Sequence, residues 1–535
     1  MHSGISQTGA PTNYASNAPR AGIREWLGLA VLTLPVLLIA IDMTVLGFAV
    51  PHLSADLAPS SAQMLWIIDI YGFVLAGLLV TMGSLGDRIG RRRLLMIGAV
   101  GFAAASVIAA YSTSPEMLIG ARVLLGLAGA TLMPSTLSLL RNMFLNERQR
   151  LLAIAIWASA FSGGMAIGPV VGGWLLERFW WGSVFLLAVP VMIIIIGFGP
   201  LILRESRNPN PGRFDILSVL TSMAAMLPAV FGIKKLAAGE SLVLAAAALA
   251  FGVLMGYVFV RRQRQLTSPL IDVKLFAIPA FSASVATNLM IIFSLVSSLF
   301  FLTQYLQIGQ GISPFNAGLV LVPGLVLSVV TSFVAVRLSR AMGLRSIILL
   351  GLAIVVIGFA TLTQLPVHDG VVLVSVAFAL IGTGTGLAET VTNGAILTSA
   401  PPERAGAASA ISETAYELGA ALGVAVLGSV LTAVYRAQLP AEAPAEAGET
   451  LGGAVTASQN LEPEAGETLM SAANSAFTTG IHVTSAIGAT LVVFAMVMVG
   501  LALRRRKSKQ EADQIASPTT EPDADSARQL VTKTG

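Results

Sequence analysis

The sequence predicts an all-α polytopic membrane protein with fourteen transmembrane helices. Three observations carry that prediction. The 535 residues are 55% hydrophobic and only 11% charged, with a mean hydropathy of +0.80, whereas a soluble domain is about a quarter charged. Fourteen apolar runs are long enough to cross a bilayer as helices, where barrel strands would need about ten alternating residues. Finally, 27 of the 32 Lys and Arg fall in alternate loops and at the two ends. By the positive-inside rule, both termini are then cytoplasmic and the chain is a multi-pass protein of the cell (inner) membrane. The same alternation accounts for a pI near 9.5 as topology, so nucleic acid is not an expected partner.

Residues 1–25 are polar and form a cytoplasmic N-terminal segment. The first run, 27–50, is too long for the core of a signal peptide and contains Asp42, so it is a retained span. Runs at 62–82, 94–112, 117–140, 151–176 and 180–203 complete a first group of six. Two more follow at 214–234 and 241–260, the first ended early by Lys234 and Lys235. The last six are 280–306, 315–336, 346–365, 371–398, 406–434 and 480–503. The loop 437–479 lacks Lys and Arg, holds Glu442, Glu446, Glu449, Glu462, Glu464 and Glu467, and repeats EAGETL at 446–451 and 464–469. Two short helices in a hairpin would suit it, and so would a flexible spacer. An acidic collar affecting cation release is the functional counterpart. From Leu503 the tail is basic, then polar, and disorder is expected.

Acids inside apolar runs are the main chemical signal. Asp42 and Asp69 lie in the first two spans, Glu389 in the twelfth, and Glu413 and Glu417 in the thirteenth, one helical turn apart. A carboxylate in hydrocarbon costs several kcal/mol, so such residues mark proton relays or cation sites. Cys is absent, which removes disulfides and thiol chemistry. The four His (His2, His52, His368 and His482) are too dispersed for a metal site. No nucleophile or metal constellation supports an enzyme, and no cofactor is expected. No Walker-type phosphate loop occurs. The glycines of Gly382-Thr-Gly-Thr-Gly386 lie inside an apolar span and suit helix packing.

The motifs narrow the class. Gly83-Ser-Leu-Gly-Asp87-Arg88-Ile-Gly90-Arg91-Arg92-Arg93 resembles the loop signature of the major facilitator superfamily, and Arg337–Arg345 is a degraded echo of it in the second half. Gly164-Met-Ala-Ile-Gly168-Pro169-Val-Val-Gly172-Gly173 resembles the antiporter signature of the same superfamily. Its fourth-residue glycines share one helix face, which permits close helix approach. Asp42-Met-Thr44 followed by Ala49 and Pro51 resembles the first-span motif of drug:proton antiporters with fourteen spans, although Gly47 stands where relatives usually carry Asn. Arg122 and Gly126 resemble a proton-transfer signature, with Leu125 in place of its usual Gln. Glu413 to Gly423 is similar to the matching segment of quaternary-ammonium exporters.

The resemblance implies a major facilitator fold of two six-helix bundles (26–205 and 266–503) with two extra helices between them (206–265) and a tail at 504–535. It implies a proton-coupled antiporter that exports lipophilic cations, dyes and quaternary ammonium compounds by alternating access. A narrow exporter of one antibiotic or metabolite is the alternative. Asp42, Arg122, Asp69, Glu413, Glu389 and Glu417 would carry proton and cation coupling, with Asp69 and Glu413 facing each other across the cavity. Gly83, Asp87, Arg88, Gly90, Arg91 and Arg92 would form a conformational latch. Trp66, Tyr71, Trp157, Phe161, Phe301, Tyr305 and Tyr416 are candidate cavity aromatics. Expected partners are the bilayer, small cationic substrates and protons, and the chain is expected to act as a monomer.

Overall fold

A computed structural model describes residues 20–207, 215–237, 241–266, 269, 271–339, 341–399 and 405–516, with the side chains of Asp87 and of 504–516 among those left out. The chain forms α1 (Ile23–Leu57), α2 (Ser61–Ile89), α3 (Arg91–Ala110), α4 (Pro115–Met143), α5 (Glu147–Arg178), α6 (Ser183–Leu186) and α7 (Ala188–Ile202). Next come α8 (Ile216–Ala237), α9 (Leu242–Gln265), α10 (Pro279–Gln304), α11 (Pro314–Leu338), α12 (Leu344–Leu362), α13 (Val371–Ser399) and α14 (Ala405–Gly423). The last are α15 (Ser429–Gln438), α16 (Ala445–Glu449), α17 (Leu451–Gln459) and α18 (Pro463–Ala516). Among the described residues thirteen helices are long and apolar enough to span, and α5 is a fourteenth, bent by 42° between Met165 and Ile167. The bend follows from Pro169, whose missing N–H frees the carbonyl four residues earlier.

Side-chain caps start several helices. Ser60 accepts the Gln63 amide at the head of α2, Ser114 precedes Pro115 in α4, and Asn146 caps α5. In the first half α1 packs on α5 and α7, and α4 on α2 and α3. The second half repeats this arrangement, with α10 on α14 and α18, and α13 on α11 and α12. The halves meet where α5 crosses α11, α2 crosses α14 and α1 meets α10. α8 and α9 pair with each other, and α8 rests on α2. Helix α18 continues to Ala516, beyond the expected boundary at 503, and residues 517–535 of the expected tail lie outside the described residues.

The loop 437–479 folds as α16, α17 and the first turns of α18, with α17 against α1 and α18. The hairpin is therefore built, and it is docked. Glu449 accepts from the Ser61 amide (2.8 Å) and hydroxyl (3.1 Å) at the head of α2, and from Arg436 (3.3 Å). Across the molecule Glu177, at the end of α5, accepts from the Phe315 amide at the head of α11 (3.3 Å). Both carboxylates bind the positive end of a helix in the opposite half, on the face away from the basic loops.

Candidate functional site

Two cavities divide the intramembrane acids between them. The narrow one, about 50 Å³, is lined by Asp42 of α1, Asp69 and Tyr71 of α2, Arg122 of α4 and Glu417 of α14. Arg122 is 2% exposed. Its Nη1 meets Asp42 Oδ2 at 2.8 Å, its Nε donates to the Ile67 carbonyl at 3.0 Å, and its Nη2 donates to the Ile68 carbonyl at 3.4 Å. The guanidinium also lies over the Tyr71 ring, 4.6 Å from its centroid, a cation–π contact strengthened by burial. A buried ion pair is stable only when its remaining polar atoms are satisfied, and the two α2 carbonyls do that for Arg122. Glu417 is 1% exposed, and its oxygens have no hydrogen-bond partner among the described residues.

The wide cavity, about 410 Å³, lies between α5, α10, α11, α13 and α14, in their halves nearer the basic loops. Glu389 and Glu413 both line it, with Trp157, Phe161 and Tyr416 as its aromatic wall. The Tyr416 hydroxyl donates to Met165 Sδ at 3.0 Å, and the Phe161 ring meets Tyr416 edge-on at 5.2 Å. Beside the acids, Ser412 donates to Asn393 Oδ1 at 2.8 Å, and Asn288 Nδ2 reaches both Asn393 and Ser412 at 3.3 Å. An apolar cavity with a few convergent polar groups is the usual form of a small-molecule site.

The division departs from the sequence expectation in one respect. Asp69 does not face Glu413 across a shared cavity; it sits with Asp42, and Glu417 joins them. Four residues on a helix advance about 400° and rise about 6 Å. Glu413 and Glu417 therefore keep nearly one face yet reach different levels. The aromatics also separate. Trp66 packs with Phe73 and Val230 between α2 and α8. Phe301 is buried in the core, and the Tyr305 hydroxyl donates to the Pro366 carbonyl at 2.5 Å, in a π turn at the far end of α10. Single-residue aromatic positions carry no period that distinguishes a cavity wall from a core.

The glycine motif serves two neighbours. Gly164, Gly168 and Gly172 abut Leu37, Thr44 and Val45 of α1, and a Cβ on Gly164 would sit 2.5 Å from the Leu37 carbonyl oxygen. Gly173 and Pro169 abut Phe315 and Gly318 of α11. Gly419 and Gly423 repeat the first arrangement on α10, against Leu289 and Phe293. In the Gly382–Gly386 run, Gly382 and Gly386 touch α11 and Gly384 touches α12, so close packing accounts for it. Pro51 cannot donate to the Gly47 carbonyl, and Thr303 of α10 donates to that oxygen instead, at 3.0 Å.

The loop signature also has a partner that the sequence did not single out. Gly90 has φ +108°, and a Cβ there would lie 2.6 Å from Glu205 Cδ. The Glu205 carboxylate accepts from the Arg92 and Arg93 amides at 3.0 and 3.2 Å, capping α3. Gly90 thus provides both the turn and the space for that carboxylate. Gly83 lies against Pro134, and the Arg92 side chain donates to the Leu203 carbonyl at 3.1 Å. The Asp87 side chain lies outside the described residues. An acid directly after the sixth apolar run, among Arg204 and Arg207, was the available signal for Glu205.

A family profile described as Major Facilitator Superfamily matches residues 32–424. The chain belongs to the Major Facilitator Superfamily. Within it, the chain is 46% identical over 492 residues to the multidrug efflux pump LfrA of Mycolicibacterium smegmatis, covering 91% of this chain and 98% of that one. It is 35% identical over 483 residues to the methyl viologen resistance protein SmvA of Salmonella typhimurium, covering 89% and 98%. The fold is shared with a bacterial homologue of the human lysosomal transporter Spinster, solved in an inward-facing, unoccupied conformation, with a TM-score of 0.66 at 17% identity over 90% of this chain and 98% of that one. As a member of the superfamily, the chain is a multi-pass membrane transporter of small substrates and not an enzyme.

Proposed function

We propose that the protein exports lipophilic cations from the cytoplasm in exchange for protons. The observation that carries this reading is the division of five intramembrane acids between a narrow and a wide cavity joined by α14. Glu389 and Glu413, with an aromatic wall, suit a bulky cation. Asp42, Asp69 and Glu417 have no room for one and suit protons. Arg122 cannot lose its proton; it competes with a proton for Asp42. Protonation of Asp42 would weaken the pair and free α1 to move against α4. The relatives named above, an efflux pump and a resistance protein, fit such an activity.

In this reading both termini are cytoplasmic, the wide cavity opens inward, and residues 26–205 and 266–503 are the moving bodies, with α8 and α9 between them. One chain suffices, because both cavities are complete within it. Exchange of one proton for one monovalent cation moves no net charge, so the membrane potential cancels and the pH gradient drives it: one pH unit supplies about 1.4 kcal/mol, enough for roughly a tenfold substrate gradient. The test is ethidium transport in inside-out vesicles. Transport should require a pH gradient and fall to background in Asp42→Asn. Unchanged transport in that variant, or without the gradient, would falsify the proposal.

A further inference from the structure

The N-terminal half carries a third cavity, about 390 Å³, at the basic-loop end of α1, α4 and α7. Three arginines line it: Arg20, Arg24 and Arg204. Arg20 and Arg204 are exposed and have no protein acceptor among the described residues. Arg24 donates from Nε and Nη2 to the Ile202 and Leu201 carbonyls, at 3.0 and 3.1 Å, which leaves Nη1 without an acceptor among the described residues. The two acids in the wall are already engaged with backbone amides: Glu25 with Gly22 at 2.8 Å, and Glu205 with the head of α3. The preceding residues 1–19 contain no Asp or Glu, so that segment cannot supply a side-chain anion.

We propose that this cavity binds the phosphate headgroup of an anionic phospholipid. A guanidinium fork matches phosphate geometry, and basic pockets between helix ends on the positive side of a membrane protein are established headgroup sites. The surroundings favour a lipid over free phosphate. Ile23 is 80% exposed and Leu201 73%, directly beside the cavity, and they offer the acyl chains an apolar surface. Trp26, in the first turn of α1 and edge-on to Phe144 at 5.2 Å, is of the residue type enriched at membrane interfaces. A bound headgroup would brace the ends of α1, α4 and α7 beside Glu205, and hence beside the Gly90 turn. The inference rests on the membrane topology and is independent of the exported substrate.

The test is native mass spectrometry of the full chain in mild detergent, titrated with phosphatidylglycerol, phosphatidylcholine or inorganic phosphate. The wild type should retain phosphatidylglycerol in preference to phosphatidylcholine. The double variant Arg20→Gln/Arg204→Gln should lower that occupancy on the order of tenfold or more. A charge-matched control, Arg261→Gln/Arg264→Gln, changes two exposed arginines on α9 and should leave it unchanged. Equal loss in both double variants, no preference over phosphatidylcholine, or displacement of the lipid by equimolar inorganic phosphate would each overturn the proposal.

Discussion

Opening toward the face away from the basic loops must break the two carboxylate-to-helix contacts made by Glu449 and Glu177. The Arg436–Glu449 pair is 35% and 40% exposed, so screening limits it to about 1 kcal/mol at most. The charged acceptor on the first amide of α2 adds up to about 1 kcal/mol. Replacing Glu449 with Gln should therefore favour opening by about 1–2 kcal/mol, which is roughly a 5- to 30-fold change in population. The absence of cysteine makes the assay clean. In proteoliposomes, an Ala420→Cys probe in the narrow cavity is labelled by a membrane-impermeant maleimide added at that face. Glu449→Gln should accelerate labelling 5- to 30-fold and Ser61→Ala less. Combined with Glu177→Gln, the free energies should nearly add, because the two contacts share no partner. If the exposed-surface control Glu464→Gln accelerates labelling as much as Glu449→Gln, or Glu449→Gln leaves the rate unchanged, the two contacts do not hold that face closed.

Three further outcomes are expected. Arg122→Lys cannot reach Asp42 and both α2 carbonyls with one fork, so drug uptake into inside-out vesicles should drop at least tenfold while the purified protein stays folded by circular dichroism. Gly164→Leu forces α1 and α5 apart and should lower the thermal unfolding midpoint measurably, through a loss of about 2 kcal/mol or more, whereas Gly197→Ala, at a position with open space, should not. Arg262 binds both oxygens of Asp215, at 2.8 and 3.2 Å, and that hydrogen bonding holds the Asp215 carboxyl below its ordinary range. A depressed carboxyl stabilises the fold above the unfolded value and loses that effect as pH falls through the folded one. Asp215→Asn should therefore reduce thermal stability slightly at pH 7, by no more than about 1 kcal/mol, and the difference from the wild type should shrink as the pH falls below the ordinary carboxylate range.

Much of the architecture was readable because a bilayer leaves few options. The apolar runs and the alternation of positive charge give the spans, and the fourth-residue spacing of Gly164, Gly168 and Gly172 gives a packed face. The Asp42–Arg122 pairing was also within reach, since each is a lone charge in a long apolar run. The grouping of the acids was not legible: the level of Asp69 relative to Glu413 depends on how α2 and α14 cross, and no local pattern encodes a crossing. Glu205 and Glu449 were missed as functional contacts for a related reason. Both lie outside the hydrocarbon, where an acid is ordinary, and only the fold shows that each meets the head of a helix distant in sequence. Only the fold likewise brings together Asn288, Asn393 and Ser412, three neutral residues from three helices.

Glu413 and Glu417 stand on consecutive turns of α14, one in the wide cavity and one in the narrow cavity. Any tilt or rotation of that helix displaces both carboxyls together, like two marks on one lever. In the proposed exchange, binding in one chamber would reach the other through rigid backbone, with no relay of intervening side chains, and Gly419 and Gly423, which seat α14 on α10, would be the bearing on which that lever turns.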